Sequence, residues 1–447
     1  MESLQGYGIV PGLTNIANLC EKLENPQNDL QFVHIAGTNG KGSTLAFIST
    51  ILKEAGYRVG RYISPTIFEY RERFQINGRM ITKKDLCRLM MEVKEACECL
   101  MKEGKPHPTP FEIETALGFL YFKEKKCDIV VLETGMGGLL DATNIVENTL
   151  VAVLVSISMD HMQFLGKSLA EIAANKAGII KKGCRVVTIK QQEEAMAAIE
   201  AKVQSVFCQM DCGDERLHDE DKEPENLETT WDRYMYVADP AKAKNIRYGL
   251  EKQRFDYGEW KKIEITMAGQ YQIDNAVLAL EVLQVLGRLG YPVSEEKLRK
   301  GFRETTWPGR FTVLGKKPYF VVDGAHNEDA AARLAKSIEF YFTNKRIIYI
   351  MGVLRDKEYE KIIGLTHSLA DQIIAVRTPG NPRAMSAYEL AQEIAKVHPQ
   401  VTAVDSLEEA VELSHLMAAK DDVIVAFGSL SFLGQLMCIY ERFQEKK

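Results

Sequence analysis

Short β-branched apolar runs alternate along the chain with longer stretches in which apolar residues recur at helical spacing, and that alternation predicts a parallel α/β architecture. The clearest runs are Phe32–Ala36, Ile129–Leu132, Val151–Ile157, Arg185–Ile189, Phe320–Val322, Ile347–Met351, Ile373–Val376 and Val423–Phe427. Helical periodicity predicts helices over Ser43–Ala55, Lys84–Lys102, Glu112–Lys123, Gln272–Leu286, Asp329–Tyr341 and Leu407–Met417. The stretch Asp211–Thr230 is polar and acidic, which predicts an exposed excursion. After it, Tyr234–Val237, Ile246–Tyr248 and Ile263–Met267 read as short antiparallel strands. Pro308 and Gly309 then break a helical pattern before a new strand and helix series begins. A large domain is therefore expected over residues 1–306 and a smaller α/β domain over 307–447.

Composition narrows the function classes. With 447 residues and 46% apolar content the chain can build two or three proper cores. Lys and Arg number 56 against 62 Asp and Glu, a net charge of -6 that argues against nucleic acid as the main partner. No apolar run approaches the roughly 20 residues that span a bilayer, and the first residues lack the basic start and apolar stretch of a secretory signal. A cytoplasmic protein without a membrane partner is the expectation. The nine Cys are odd in number, and the close pairs Cys97 with Cys99 and Cys208 with Cys212 have no second pair or His at zinc spacing. They read as reduced, mostly structural thiols.

The strongest chemical signal is Gly37-Thr38-Asn39-Gly40-Lys41-Gly42-Ser43-Thr44, which follows an apolar run and opens a helical one. Three glycines let backbone N–H groups turn inward, the helix start adds partial positive charge and Lys41 adds a full one, which is what a triphosphate requires. Gly42 between the lysine and the hydroxyl residues departs from the common P-loop spacing. A second run ends in Glu133, placed to hold Mg²⁺ with a hard oxygen, although an ordinary loop acid fits as well. A third ends near Asp160 and His161, so Lys41, Glu133 and His161 are expected at one crevice; taken singly, His161 has a structural reading too. Lys176 closes a later helical pattern, and spacing alone does not separate it from a solvated surface lysine.

These segments occur in a fixed order: the glycine loop at 37–44, Leu132–Asn144, Ser156 with Asp160-His161, Asn175–Ile179, Gln272–Ala276, Trp307–Phe311, Asp323–Asn327 and Gly352–Glu358. In that order the chain resembles the folylpolyglutamate synthase and dihydrofolate synthase family of the Mur-ligase superfamily, and the resemblance covers nearly its whole length. It implies a large P-loop ATPase domain with a mostly parallel sheet and a smaller Rossmann-like C-terminal domain. It also implies ATP- and Mg²⁺-dependent ligation of L-glutamate to folates, with dihydropteroate as a further acceptor, by a monomer.

Carried over position by position, the resemblance implies that Lys41, with Thr38, Asn39, Gly40, Gly42 and Ser43, holds the ATP phosphates. Asn275, Arg310 and Asp323 would contact the nucleotide, which would sit between the domains. Ser64 and Glu133 would hold one Mg²⁺, with His161 helping to hold a second, and Lys176 matches a lysine that the family carbamylates, turning a cation into an oxygen ligand. Gly12, Leu13, Phe111, Glu112 and Asp141 match the pterin pocket, where an aromatic wall suits a flat heterocycle; for Phe111, ordinary core is the competing reading. Asn275 also reads as a helix-start residue, and Arg310 as a partner in a structural ion pair.

Four positions depart from the family pattern. Leu139 stands where Arg is usual, Thr66 where His is common, Asn175 where Glu precedes the special lysine, and Glu328 where Pro follows His-Asn. None touches Lys41, Glu133, His161 or Lys176, so the ATP chemistry is expected intact while acceptor choice is open. The alternative is a ligase of the same superfamily acting on another carboxylate. A catalytically dead regulator would show erosion at those four residues, and none is present.

Overall fold

All five residues of β1 (Phe32–Ala36) are buried, as is usual for a parallel strand covered on both faces. In the computed structural model, which describes residues 12–207 and 233–446, this strand lies inside an eight-stranded sheet. The other strands are β2 (Val59–Tyr62), β3 (Phe74–Ile76), β4 (Arg79–Met80), β5 (Ile129–Glu133), β6 (Thr149–Leu154), β7 (Arg185–Ile189) and β8 (Met235–Ala238). Their order is β4-β3-β2-β5-β1-β6-β7-β8. Only β3 and β4 run antiparallel to their neighbours. Register pairs Ile35 with Glu133 and Ala36 with Leu154, so the segments leaving β1, β5 and β6 emerge at one carboxyl edge. Ligands of open α/β sheets bind at such an edge.

The helix Lys41–Glu54 starts within the 37–44 glycine segment, and Pro110–Glu124 starts with a capping box in which Thr109 and Glu112 bond reciprocally. Such a cap typically contributes about 1 kcal/mol by satisfying two otherwise orphaned backbone donors. Buried Phe32, Tyr62, Phe74, Phe119 and Phe122 form the aromatic centre of the core on this side of the sheet. Each contributes on the order of 2 kcal/mol by leaving water.

A three-stranded antiparallel sheet follows, with β9 (Lys244–Arg247), β10 (Gln253–Tyr257) and β11 (Trp260–Ile265) in the order β11-β10-β9. Then comes a six-stranded sheet of β12 (Thr312–Lys316), β13 (Tyr319–Val322), β14 (Ile347–Met351), β15 (Gln372–Ala375), β16 (Val401–Ala403) and β17 (Val423–Phe427), ordered β12-β13-β17-β14-β15-β16. Apart from the antiparallel β12 it is parallel. Alternate residues serve its two faces. Val321, Tyr349, Ile373 and Val425 pack with the helices Glu328–Tyr341, Tyr359–Thr366 and Ala387–Ala395, whereas Phe320, Ile348, Ile374 and Ile424 pack with Leu407–Met417 and Leu430–Glu445.

Two sequence expectations need correction. Tyr234–Val237 was expected to be antiparallel, but β8 pairs in parallel with β7, Val186 opposite Met235. The helix Glu193–Phe207 supplies part of the long crossover that parallel pairing requires. Contacts also do not follow a single cut near residue 306. Among the described residues one compact unit comprises 12–66, 70–207, 233–243 and 274–304, the other 67–69, 244–273 and 305–446. The segment 244–273 joins the second because Leu250, Ala268 and Tyr271 pack into the cluster of Phe311, Val321 and Tyr341, and the Tyr341 hydroxyl donates to Gln253 Oε1 at 3.1 Å. Asp211–Thr230, Cys208 and Cys212 lie outside the described residues.

Candidate active site

The glycine loop is built by close approach. Gly37 and Gly40 have φ of 147° and 101°, and a Cβ on them would come within 2.2 Å of Val155 Cγ2 and 2.5 Å of Asn275 Oδ1. Both the positive φ and the lack of space therefore demand glycine. The loop is tied to the strand end beside it, since Ser156 O accepts from the amides of Thr38 at 2.8 Å and Asn39 at 3.2 Å, and Thr38 Oγ1 donates to Ser158 O at 3.0 Å. Asn275 is thus brought against the loop. The first bond of the helix runs from the Thr44 amide to Gly40 O at 2.9 Å, so the amides of Gly42 and Ser43 precede the ladder at a helix start, where an anion is favoured.

Two lysines converge here. Lys41 Nζ donates to Gly37 O at 3.0 Å and to Thr38 O at 3.2 Å, and Lys176 Nζ donates to the same Gly37 O at 2.9 Å. Lys176 is buried, so the surface-lysine reading falls. It is held there because Gly138 packs on the Lys176 backbone, where a Cβ would lie 2.6 Å from its carbonyl oxygen.

Glu133 is buried at the end of β5, and its Oε2 accepts the Ser64 amide at 3.3 Å. A residue carrying a hydroxyl thus adjoins a buried carboxylate, and both are hard oxygen donors by type. Among the described residues no three His, Cys, Asp or Glu side chains form a metal cage. That donor set suits Mg²⁺, which keeps waters and substrate phosphates and needs only one or two protein oxygens. His161 caps the short helix Met162–Leu165 in a left-handed conformation (φ 51°), with Nε2 3.7 Å from Asp160 Oδ2 and its side chain 37% exposed.

On the other side of Ser64 opens a cavity of about 530 Å³. Gly12, Ser64, Phe111, Glu112 and Asp141 line it, and so do Arg73, Met136, Leu140, Phe164 and Asn175, which the sequence did not single out for it. Leu13 instead packs against the neighbouring core. The Phe111 ring stands edge-on to Tyr62 at 6.3 Å and has room only because residue 135 is glycine, whose Cβ would lie 2.5 Å from Cζ. Phe111 is therefore both cavity wall and core edge. Glu112 presents its surface to the cavity while its Oε2 closes the helix cap, accepting from the Thr109 amide at 2.7 Å.

Asp141 accepts the Met136 amide at 2.8 Å on Oδ2 and, on Oδ1, the Thr143 amide at 3.0 Å and hydroxyl at 2.6 Å. Burial still pushes its carboxyl above the usual range, against those donors. Arg73 Nη1 lies 3.3 Å from Glu114 Oε2, and the guanidinium carbon is 6.0 Å from the ring centres of both Tyr62 and Phe111. Burial raises the Glu114 carboxyl, which the Arg73 charge opposes.

In the second unit Arg310 and Asp323 meet. Asp323 accepts the Tyr271 hydroxyl at 2.7 Å and the amides of Phe311 and Ala325, both at 2.8 Å. Burial pushes this carboxyl up as well, with Tyr271 and Arg310 opposing. Gly324 admits the Arg310 guanidinium, since a Cβ there would lie 2.1 Å from Nη1.

The Mur ligase middle domain matches residues 35–283, and the Mur ligase glutamate ligase domain matches 309–430. A dihydrofolate synthase/folylpolyglutamate synthase of Bacillus subtilis is 32% identical over 432 residues, which is 96% of this chain and 95% of that one. The chain belongs to the folylpolyglutamate synthase and dihydrofolate synthase family of Mur ligases. Members of this family are ATP-dependent amide-forming ligases that add glutamate to folates. The crystal structure of folylpolyglutamate synthase from Thermotoga maritima superposes with a TM-score of 0.79 at 31% identity, covering 97% of this chain and 94% of that one. Escherichia coli FolC, in complex with DHPP and ADP, gives 0.81 at 26% identity over 99% and 96%.

Proposed function

We propose that this protein binds ATP at the 37–44 loop and joins L-glutamate to a folate carboxylate, with dihydropteroate as a second acceptor. A carboxylate resists attack by an amine because oxide is a very poor leaving group. Transfer of the γ-phosphoryl group to it, releasing ADP, gives an acyl phosphate; the glutamate amine attacks the acyl carbon, phosphate leaves and a proton is lost from nitrogen. Both steps concentrate anionic oxygens, so preorganised cations and N–H donors carry most of the stabilisation. Lys41 and the first-turn amides would hold the phosphates. Glu133 and Ser64 are the residues that would hold Mg²⁺, which supplies further positive charge to those oxygens when bound.

One observation carries the reading: Ser64 both lines the cavity and donates its amide to Glu133 at the phosphate edge, so an acceptor in the cavity meets the site where the phosphoryl group is handed over. Lys176 fits a carbamate. Its Nζ shares a carbonyl with Lys41, and addition of CO₂ to the neutral amine, with loss of a proton, would replace a second positive charge with an anionic oxygen pair. Lys176→Arg keeps the charge but takes up no CO₂, and a large loss of turnover is expected; near-normal turnover rules the carbamate out.

Incubation with ATP, Mg²⁺, L-glutamate and either tetrahydrofolate or dihydropteroate, followed by mass analysis, tests the whole proposal. Acceptor-dependent ADP release and a product heavier by one glutamyl unit are expected. No amide with either acceptor would point to a different carboxylate.

A further inference from the structure

His34 sits in the middle of β1, fully buried between Leu132 of β5 and Ala152 of β6, where a parallel strand ordinarily carries an apolar residue. Its Nε2 lies 2.9 Å from Thr143 Oγ1, and Thr143 Oγ1 lies 2.6 Å from Asp141 Oδ1. The proton inventory gives this chain one direction. An ionised carboxylate only accepts, so the Thr143 hydroxyl spends its single proton on Asp141, and its oxygen must then accept from His34. His34 consequently carries its proton on Nε2. His34 Nδ1 is buried without a hydrogen-bond partner, which suits a bare lone pair. The opposite tautomer would bury an unpaired N–H and leave Thr143 without its donor.

We propose that His34 and Thr143 are positioning residues for the acceptor: the relay from His34 through Thr143 fixes the Asp141 carboxylate in the cavity wall. This rests on the reading that the cavity takes the pterin-bearing acceptor. The Met136 and Thr143 amides already satisfy the local turn, so the hydroxyl donor adds orientation rather than mere folding. A carboxylate held from behind by three donors presents its remaining lone pairs in a fixed direction, as the planar N–H edge of a heterocycle requires. Burial and the neighbouring Lys181 charge keep the imidazole neutral, with a pKa of about 3, so the donor on Nε2 is permanent at neutral pH.

Steady-state kinetics of Thr143→Val test this. The variant keeps the shape and removes the hydroxyl, and the acceptor KM should rise about 10- to 100-fold while the KM for ATP moves less than about twofold. Thr143→Ser, which restores the hydroxyl, and His34→Gln, whose amide nitrogen donates from a similar place, should recover most of the loss that Thr143→Val and His34→Leu cause. An unchanged acceptor KM in Thr143→Val, or equal movement of both constants, overturns the proposal. Nitrogen-15 spectra of the wild-type His34 ring give a readout independent of activity and of variant folding. A neutral Nε2–H tautomer at pH 6 is expected, and an Nδ1–H tautomer or a charged ring overturns the relay. If wild-type enzyme makes no product with either acceptor, the cavity reading falls, while the relay itself is still decided by the ring tautomer.

Discussion

A buried histidine inside a parallel sheet makes stability depend on pH, and the sign follows from its depressed pKa. His34 titrates near 3 when folded against an ordinary 6.5, because burial and Lys181 oppose its charge. Between those values the unfolded chain binds more protons, so this contribution is complete above pH 6.5 and declines as pH falls toward 3, by up to about 1.4 kcal/mol per unit. Asp141 and Asp323 act in the other direction, since their raised carboxyls favour the folded chain at low pH and lose that contribution as pH rises above 3.8. Urea unfolding of wild type and His34→Gln at pH 7 and 5 separates the terms. The variant should lose less stability across that step, by about 2 kcal/mol. No local motif marks His34, because its partners, Thr143 and Asp141, lie more than a hundred positions away and meet it only through the register of β1 and β5. Arg73 lacks such a mark for a related reason, closing the polar turn Tyr70–Arg73 just before a three-residue antiparallel strand too short to give an apolar run.

Among elements, the 133–144 loop shows how a side chain can vary while its backbone stays fixed. Leu139 N donates to Asn175 O at 2.8 Å, and the Asn144 amide group donates to Leu139 O at 3.0 Å and Gly178 O at 3.1 Å. A Cβ on Gly178 would lie 2.5 Å from Leu139 Cα, so the loop and the end of the helix Leu169–Ala177 pack backbone to backbone. The Leu139 side chain itself is 45% exposed. Leu139→Arg, restoring the cation usual in the family, should therefore leave stability within about 0.5 kcal/mol. It should lower the KM for an anionic polyglutamylated acceptor about two- to fivefold at low salt, and the gain should fade at high salt, as a kinetic series in added chloride would show. The glycine loop, β1 and the helix after it were legible because strand, turn and helix signals fall in adjacent positions. The strands β10, β12 and β16 were not, since their part-exposed residues give no uninterrupted apolar run.

For the molecule as a whole, the matched family spans both compact units, and ligand occupancy is linked to stability. A ligand that binds only the folded chain stabilises it by about 2.7 kcal/mol at a hundred times its Kd. ADP should raise the melting temperature, and Lys41→Ala should abolish the rise without altering melting in buffer alone; a persistent shift in that variant would move the nucleotide away from the loop. Among the described residues no helix is long and apolar enough to cross a membrane. The division at 306 followed Pro308 and Gly309, whereas contacts follow apolar packing, and Leu250, Ala268 and Tyr271 carry their segment into the second cluster.

Leu140 and Phe164 line the cavity yet remain 48% and 53% exposed. A wet, oily threshold of this kind attracts any flat greasy solute, whatever its fit further in. If the cavity takes the acceptor as proposed, detergent monomers, dyes and poorly soluble screening compounds are expected to register as inhibitors by lodging against these two side chains. Hits seated deeper are then expected to be those whose potency changes when Asp141 is substituted.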